Sequence, residues 1–478
     1  MSTDPSSESD GQRKRSLPTV DERRERGRQA RKKAPRSSHG DWNPAADRRD
    51  PVEVLAAQDS TRLEFLVPIR HYRMGVSAFT FYRGTASIMA YDLAGTPDSG
   101  IQAQLCGDAH LSNFGGFASP ERTQVFDVND FDETLPGPWE WDLKRLAASL
   151  VLAGRNIGLG RKEIRQVVDG STERYRDGMR KMAASTDLDV WYTQIPSSEI
   201  RNVISGKSRK KKFDKGLKKA HRRNSLRSFH KLTETVNGRL QIRSDPPLLI
   251  PLRDLKKQFP DRADKQVINA SFEEYRDTVS ADLNTLLDGY EFVDMALKVV
   301  GVGSVGTRCF AALFIGRDEK DPLFLQVKEA ESAVIEAVLP KSRYAKHGRR
   351  VVEGQRLMQT SSDIFLGWST GAKNSGQEFY WRQLKDMKGS ADVDSMDKKG
   401  LNGYAGLCGF TLARAHARSG DPIAIAEYMG KSDTFIKAIT RFAEAYADQA
   451  EADYAVFREA IDSGRLSSEA PEDSPVRS

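Results

Sequence analysis

The sequence predicts an α+β protein in which a small antiparallel sheet is joined to a larger, mainly helical part. Residues 296–328 contain short apolar runs separated by glycines, which is typical of consecutive antiparallel strands. From Trp141 to Ala153 apolar residues recur at helical spacing. Between the chain's start and that helix, residues 107–133 are rich in Asp and Gly and indicate a loop followed by a tight hairpin.

Bulk composition excludes several classes of protein. The 478 residues are 38% hydrophobic and contain no run of roughly 18 apolar residues that would span a membrane. The chain begins with Ser, Asp, Pro and charged residues instead of a secretory signal, so we expect a cytoplasmic protein without membrane contact. Its three cysteines are widely spaced, which favours reduced thiols over disulfides or a zinc site. The net charge of +7 favours anionic ligands in general.

Both ends of the chain are polar. Residues 1–50 combine Ser, Pro and a run of Arg and Lys without apolar periodicity, which predicts a disordered basic tail. A nucleic-acid-binding arm is the alternative, but no aromatic residues alternate with the charges. Residues 463–478 predict a second polar tail.

Residues 51–290 predict the mainly helical part. A helix from Phe79 to Leu93 is followed by a strand, Ile101–Leu105, that leads into Gly107. Three arginines come shortly before this point, and they either bind phosphate or neutralise nearby acids: Arg70, Arg73 and Arg83.

The acidic stretch carries the first candidate site. Asp108 is followed five residues later by Asn113, and the acidic cluster Asp127, Asp130 and Asp132 comes after a hairpin that turns at residues 119–123. A carboxylate and a carboxamide on one loop, faced by another carboxylate, can hold Mg²⁺ against phosphate oxygens and leave one acid to accept a hydroxyl proton. The alternative is an acidic turn beside a surface hairpin.

After a proline-rich turn at residues 136–138, the helix from Trp141 carries Asp142 in its first turn, where a carboxylate can cap backbone N–H groups. Helices are also expected over residues 161–184 and 272–287. Ten Lys or Arg residues lie between Lys207 and Arg223, within a basic insertion at about residues 200–230. We expect a solvated insertion or a mobile helix there; the alternative is a patch that binds an acidic partner.

The second candidate site lies in residues 291–390. Gly301, Gly303 and Gly306 form G-x-G-x-x-G, but a strand-like segment, Cys309–Ile315, follows where a dinucleotide-binding fold needs a helix. A third strand ends at Lys328. Strand, glycine turn, strand and lysine predict a nucleotide-binding flap whose lysine reaches the α and β phosphates. The alternative is an ordinary hairpin with a surface lysine.

Such a lysine needs a carboxylate partner. Glu353, in the predicted helix 349–360, is the first candidate and Glu336 the second. Strands are expected over residues 364–368 and 379–384, and the residues through Asp386 would form a hinge where adenine meets backbone groups. Residues 391–462 predict helices that complete the helical part, with one from Gly403 to Arg418 and another from Ser432.

These motifs carry a resemblance. The segment Gly107–Asn113 resembles the catalytic loop of aminoglycoside phosphotransferases and choline-kinase-like enzymes. The span from about Phe65 to Phe457 resembles the domain of unknown function 2252 family, which is grouped with kinase-like folds. The resemblance implies a two-lobed protein kinase-like fold, and it implies that Asp142 steadies the catalytic loop. The sequence departs from the relatives at Cys106, where they usually have a histidine that braces this loop.

The order of the motifs also departs from ordinary kinases, because Asp108 comes before the glycines instead of after them. A circular permutation reconciles the order with the fold, since packing depends on which surfaces meet and not on the path of the chain. It predicts that Lys328 and Asp130 line the same cleft.

The functional hypothesis is an ATP- and Mg²⁺-dependent phosphotransferase acting on a hydroxyl of a small molecule or a protein. ATP would lie under Gly301–Gly306 and be gripped by Lys328 with Glu353 behind it. Asn113 and Asp130 would hold Mg²⁺, with Asp127 or Asp132 as substitutes, and Asp108 would act as the base.

Two alternatives remain open at this point. One is a nucleotide-binding pseudokinase or scaffold whose partner meets the basic insertion. The other is a metal-dependent hydrolase, with a site formed by Asp108, His110, Asp127 and Asp130. The sequence does not indicate the acceptor.

Overall fold

A computed structural model describes residues 17–204, 206–222, 225–255, 265–371, 376–384 and 387–471. Its α-helices are α1 (Val20–Lys33), α2 (Pro51–Asp59), α3 (Val67–Met74), α4 (Ala78–Tyr82), α5 (Ala86–Ala94), α6 (Glu140–Asn156), α7 (Arg161–Ala183), α8 (Asp187–Tyr192), α9 (Ser197–Val203), α10 (Lys207–His221), α11 (Ser225–Leu232), α12 (Lys265–Arg276), α13 (Ala281–Leu287), α14 (His347–Met358), α15 (Lys398–Ser419), α16 (Pro422–Met429) and α17 (Thr434–Asp462). Its strands are β1 (Gln102–Leu105), β2 (Phe114–Ala118), β3 (Gln124–Val128), β4 (Leu135–Pro138), β5 (Thr233–Val236), β6 (Arg239–Ile242), β7 (Leu249–Pro251), β8 (Glu291–Lys298), β9 (Cys309–Ile315), β10 (Pro322–Ala330), β11 (Gly367–Thr370), β12 (Glu378–Gln383) and β13 (Gly389–Ser390). The predicted α+β class with antiparallel sheets is confirmed.

The largest sheet is antiparallel and has six strands in the order β11-β12-β10-β9-β8-β7. The predicted strand at residues 309–315 coincides with β9. Every residue of β10 is buried, because apolar clusters cover both faces of the sheet. A central strand of this kind is expected to be apolar on both faces, so a lysine within it needs a specific partner.

The helical part is built around α6, whose residues 140–154 are all buried. It packs with α7, α15 and α17 in one large apolar core. The helix predicted from Trp141 to Ala153 is confirmed and is slightly longer at each end. The helix predicted from Gly403 to Arg418 is confirmed as the larger part of α15.

The predicted hairpin joins β2 to β3, with Phe114 opposite Val128 and a turn closed by the bond from Ser119 N to Thr123 O, at 2.8 Å. The proline-rich segment at 136–138 differs from its prediction as a turn, because it forms β4 and pairs with β1. Proline is compatible with this position because each strand of a two-stranded sheet has a free edge.

Residues 17–50, predicted as part of a disordered tail, instead contain α1, which begins with a capping box between Thr19 and Glu22. Arg31 of α1 and Arg36, which follows it, satisfy the end of α16: Arg31 Nε donates to Tyr428 O at 3.1 Å and Arg36 Nη1 to Met429 O at 2.7 Å. Cations near the C-terminus of a helix are stabilising because they oppose its dipole. Contacts of this kind involve basic residues, so they leave no apolar periodicity in the sequence.

Two further predictions differ in detail. The helix predicted from Phe79 to Leu93 divides into α4 and α5 around Gly84, where a Cβ would lie only 2.8 Å from the side chain of Met74. The basic insertion contains α10, which is held by ion pairs from Arg201 to Asp214 at 2.7 Å and from Arg209 to Asp397 at 3.1 Å.

The end of the described chain is also held in place, since Ser467 O contacts His71 Nδ1 at 2.7 Å. Asp386, predicted in the hinge, lies outside the described residues. No helix in the described ranges is both long enough and apolar enough to cross a membrane.

Candidate functional site

The loop from Gly107 to Asn113 follows β1 and is fixed from below by α6. Gly107 has a φ of 79°, and a Cβ at this position would collide with the Glu133 backbone, so only glycine fits. Asp142 accepts hydrogen bonds from Cys106 N at 2.8 Å and Gly107 N at 3.0 Å. Ser149 Oγ, two turns along the same helix, accepts from Leu111 N at 3.0 Å. The loop backbone is therefore anchored at both ends.

Asp142 is itself held by a histidine that is remote in sequence. His416 Nε2 lies 3.2 Å from Asp142 Oδ2, and His416 Nδ1 lies 2.8 Å from the phenol oxygen of Tyr175. Cys106 is buried, and burial raises the pKa of its thiol well above the ordinary value, which disfavours a thiolate at this position. His416, on α15, therefore supports the loop through Asp142, whereas position 106, directly before the loop, carries a cysteine.

Asp108 lies at the centre of the loop with its side chain 19% exposed. Arg145 holds one of its oxygens: Nε is 2.9 Å and Nη2 2.8 Å from Oδ1. The other oxygen, Oδ2, lies 3.6 Å from His110 Nε2 and accepts no hydrogen bond within the described residues. Burial raises the pKa of Asp108, and the charge of Arg145 opposes that effect. A carboxylate with one oxygen fixed and one available can accept a proton from a positioned hydroxyl.

Asn113 connects this loop to the acidic segment. Its Nδ2 donates to Asp108 O at 2.8 Å, which fixes the carboxamide. Its backbone oxygen accepts from Asn129 N at 3.0 Å, next to Asp130. The two proposed metal ligands, Asn113 and Asp130, therefore belong to neighbouring backbone segments.

Lys328 projects from β10 toward the same acidic segment. Its Nζ forms a short ion pair with Asp132 Oδ2 and lies 3.9 Å from Asp130 Oδ1. Tyr380 Oη donates to the other oxygen of Asp132 at 2.8 Å. Burial lowers the pKa of Lys328, but the two carboxylates outweigh it and raise the pKa well above the ordinary value. Lys328 is therefore a permanent cation in this position.

The two predicted carboxylate partners of Lys328 bind other cations instead. Glu353 lies 4.0 Å from Arg349 and 3.8 Å from Arg356 on its own helix. Glu336 lies 3.6 Å from Arg350. Asp132 takes the position that sequence reasoning gave to Glu353, because β10 packs its lysine over the acidic segment and not over α14.

Asp127 has a different environment from Asp130. It is 4% exposed and forms a short ion pair with Arg414 of α15. Thr360 N also lies 3.4 Å from its Oδ2. An acid engaged in this way ties the hairpin to α14 and α15, and Arg414 occupies the space that a cation would need.

The glycine turn between β8 and β9 closes onto the N-terminal helices. Gly301 and Gly306 have φ values of 69° and 92°, which favour glycine. Arg73 Nη1 donates to Gly301 O at 2.7 Å, and Leu63 N donates to Gly306 O at 2.8 Å. Of the three arginines noted in the sequence, Arg70 instead binds Asp59 at 2.7 Å.

A cleft of about 650 Å³ lies between the large sheet and the β2–β3 hairpin, and both Lys328 and Asp130 line it, together with Gly301. The basic side chains that line this cleft outnumber the acidic ones. The basic residues are Arg122, Lys298, Lys328, Arg382 and Lys388, and the acidic residues are Asp130 and Asp363. Apolar residues including Val299, Val300 and Phe365 form part of its wall. The cleft suits an anionic ligand with an apolar portion.

Within the described residues, no three or more His, Cys, Asp and Glu side chains are grouped to hold a metal ion. Of the residues in the hydrolase alternative, Asp108 is bound by Arg145 and Asp127 by Arg414. A phosphate-bound Mg²⁺ is different, because it usually takes one or two protein ligands and completes its shell with phosphate oxygens and water.

A family model described as an uncharacterized protein conserved in bacteria, DUF2252, matches residues 62–460. The chain belongs to this family. No curated protein and no solved structure matches it. The DUF2252 match spans both the acidic loop and the glycine turn, but its description assigns no activity.

Sequence reasoning about this DUF2252 chain missed Arg145, His416 and Arg414. The signal for Arg145 was available: Asp142, Arg145 and Ser149 recur at positions i, i+3 and i+7 on an otherwise apolar helix. A polar stripe on a buried helix predicts that it faces backbone groups or charges. His416 and Arg414 gave no comparable signal, because their partners lie more than 270 residues away.

Proposed function

We propose that this protein is an ATP- and Mg²⁺-dependent phosphotransferase with a circularly permuted, two-lobed kinase-like fold. The observation that carries the proposal is the ion-pair set of Lys328 with Asp132 and Asp130, which joins segments 196 residues apart. In kinase-like sites the lysine on a strand and the aspartate that follows the catalytic loop face the same phosphates. The helical lobe would supply Asp108 and the sheet lobe Lys328.

The charge of the cleft supports a polyphosphate as ligand. Lys298 and Arg382 line the same cleft as Lys328, and burial lowers the pKa of Lys298. Desolvating a cation is unfavourable unless an anion compensates it, so a bound phosphate would stabilise this arrangement. The apolar residues in the wall of the cleft suit a nucleoside.

Asn113 and Asp130 fit a magnesium ion because they offer a carboxamide oxygen and a partly exposed carboxylate on adjacent segments. Bound there, Mg²⁺ would neutralise charge on the phosphates. Lys328 Nζ lies 3.9 Å from Asp130 Oδ1 and helps to keep this carboxylate ionised. Burial raises the pKa of Asp130, but Lys328 and the nearby cations lower it by more than burial raises it. Asp132 has the second role of orienting Lys328.

Asp108 is proposed to accept the proton of the attacking hydroxyl at Oδ2, while Arg145 fixes Oδ1. Most of the rate gain would come from positioning and charge neutralisation. The decisive experiment is the release of ADP from ATP, with candidate acceptors, by the wild-type protein and by Asp108→Asn.

We expect Asp108→Asn to lower kcat by ~10²–10⁴-fold, the range for a general base, with little change in the affinity for ATP. The exposed Asp448→Asn is the matched control and should keep full activity, since its carboxylate is 68% exposed on α17. An undiminished rate in Asp108→Asn would contradict the assignment of the base.

A second candidate is a nucleotide-binding protein without catalysis. The hydrogen bond and ion pair from Arg145 to Asp108 favour it, because a guanidinium lowers the basicity of a carboxylate. A thermal-shift titration with ATP and Mg²⁺ separates the two functions from a protein that binds no nucleotide. ADP formation then separates the enzyme from the binder.

A further inference from the structure

Arg83 lies between the two halves of the proposed site. It directly follows α4, and its backbone oxygen is 3.0 Å from the position that a Cβ on Gly303 would occupy, so it touches the glycine turn. On its other side, the preceding Tyr82 accepts a hydrogen bond at its backbone oxygen from Arg145 Nη2 at 2.7 Å. Arg145 in turn holds Asp108. The backbone at Tyr82 and Arg83 thus lies next to the glycine turn and is joined to the catalytic loop through Arg145.

The backbone at Arg83 is held firmly. The Tyr82 ring stacks under the guanidinium of Arg145 at 3.9 Å, and Gly84 O accepts from Arg70 Nη2 at 3.2 Å. Both neighbours of Arg83 are therefore fixed by other arginines, while its own guanidinium is not used for that purpose.

The guanidinium of Arg83 has no hydrogen-bond or ion-pair partner in the part of the chain that the structure describes. Its Nε is fully buried and forms no hydrogen bond, and no ion pair or hydrogen bond of its side chain occurs within the described residues. Buried donors without a partner are rare and destabilising, which points to a ligand that supplies the missing acceptor. Burial lowers the pKa of Arg83, and Asp108 is the first of the charges that oppose this effect. Asp108, the proposed base, is therefore a charge that acts on this guanidinium.

We propose that Arg83 binds the terminal phosphoryl group of a nucleoside triphosphate and holds it between the glycine turn and Asp108. This inference rests on the proposed function. A guanidinium suits the position because its planar fork matches two phosphate oxygens and its charge is permanent. Lys328 would contact the inner phosphates and Arg83 the outermost one.

The test is calorimetric titration with ADP and with the β,γ-imido analogue of ATP, each with Mg²⁺. Wild-type protein should bind the triphosphate more tightly than the diphosphate. In Arg83→Ala the affinity for the analogue should fall by ~10- to 100-fold, the range for charge-assisted hydrogen bonds, while the affinity for ADP stays within about twofold. Arg83→Lys should lose part of the preference because it keeps the charge without the fork.

Arg317→Ala is the matched control, because this arginine is 83% exposed in the turn between β9 and β10. It should keep both affinities. Unchanged ADP binding in Arg83→Ala shows that the variant is folded; should that variant fail to fold, Arg83→Met, which keeps the aliphatic stem, replaces it.

Equal affinities for the analogue in wild type and Arg83→Ala would overturn the role of Arg83 and leave the proposed function standing. A parallel loss of ADP and analogue binding in a folded variant would also overturn it, since the contact would then not be specific to the terminal group. A wild-type protein that binds neither nucleotide would overturn both proposals.

Discussion

Asp142 anchors the backbone of the loop at residues 107–113. It is 1% exposed and accepts two backbone hydrogen bonds from the loop, so its removal leaves buried N–H groups without acceptors. We expect Asp142→Ala to lower the free energy of unfolding by about 3 kcal/mol or more. Urea denaturation measures this loss.

The matched control is Asp448→Ala, which removes a carboxylate from the surface ion pair with Arg155. Exposed pairs of this kind contribute about 0–1 kcal/mol. A similar loss in both variants would mean that Asp142 does not support the loop in the way described.

Lys328 gives a second prediction at the residue scale, which distinguishes the observed partner from the one that the sequence indicated. Asp132→Asn removes the carboxylate beside the lysine, so we expect ATP affinity to change by roughly tenfold, as for one charge-assisted contact. Glu353→Gln should leave it within about twofold, because Glu353 binds Arg349 and Arg356. Titration with ATP and Mg²⁺ compares the two; the reverse order of effects would restore Glu353 as the partner.

The raised pKa of Glu133 predicts that the free energy of unfolding depends on pH. It accepts a hydrogen bond from Val334 N at 2.6 Å, and burial raises its pKa to about 7 from the ordinary 4.5. The folded state therefore binds this proton more tightly than the unfolded state, and the resulting stabilisation is complete below about pH 4.5 and is lost as pH rises through about 7.

Glu133→Gln cannot ionise, so the stability of this variant relative to wild type should rise between pH 5 and pH 8, by about 1 kcal/mol or more. Urea denaturation at several pH values measures the difference. Glu319→Gln, in an exposed turn, is the control and should give a pH-independent difference. A flat difference for Glu133→Gln would contradict the raised pKa.

At the scale of elements, α1 shows how basic residues can build structure. Arg31 and Arg36 donate to three carbonyl groups at the end of α16, where they also oppose its dipole. We expect the double variant Arg31→Ala/Arg36→Ala to lose about 1–3 kcal/mol of stability in urea denaturation. Arg24→Ala, on the exposed face of α1 beside Asp21, should lose no more than about 0.5 kcal/mol. Equal values would mean that α1 does not depend on α16.

Elements with a strong local signal could be predicted from the sequence. The strand at residues 309–315, the helix α6 and the β2–β3 hairpin follow from periodicity and turn residues, which act over a few positions. The segment at 136–138 and α1 could not, because β4 depends on pairing with β1 and α1 on the carbonyl groups of a helix about 400 residues away. The candidate site shows the same dependence on tertiary contacts. Asp108, Asp130 and Lys328 could be predicted from motifs, but the residues that orient them come from remote parts of the chain.

At the scale of the molecule, the proposed function requires that two distant parts of the chain respond together to one ligand. Hydrogen exchange with and without ATP and Mg²⁺ tests this. We expect slower exchange, by roughly tenfold or more at saturating ligand, both in the glycine turn at residues 299–308 and in the loop at residues 107–113. The surface hairpin β5–β6 should keep its rate. Protection of the glycine turn alone would contradict a shared nucleotide site.

The anchoring of the glycine turn has a mechanical consequence for the rest of the chain. Leu63 and Arg73 form hydrogen bonds to the backbone of the turn. Arg73 belongs to α3, and His71 of the same helix contacts Ser467 O near the end of the described residues. We expect a displacement of the turn to move α3 and the last described residues with it. A reporter dye attached near Ser467 would register events more than 150 positions earlier in the sequence.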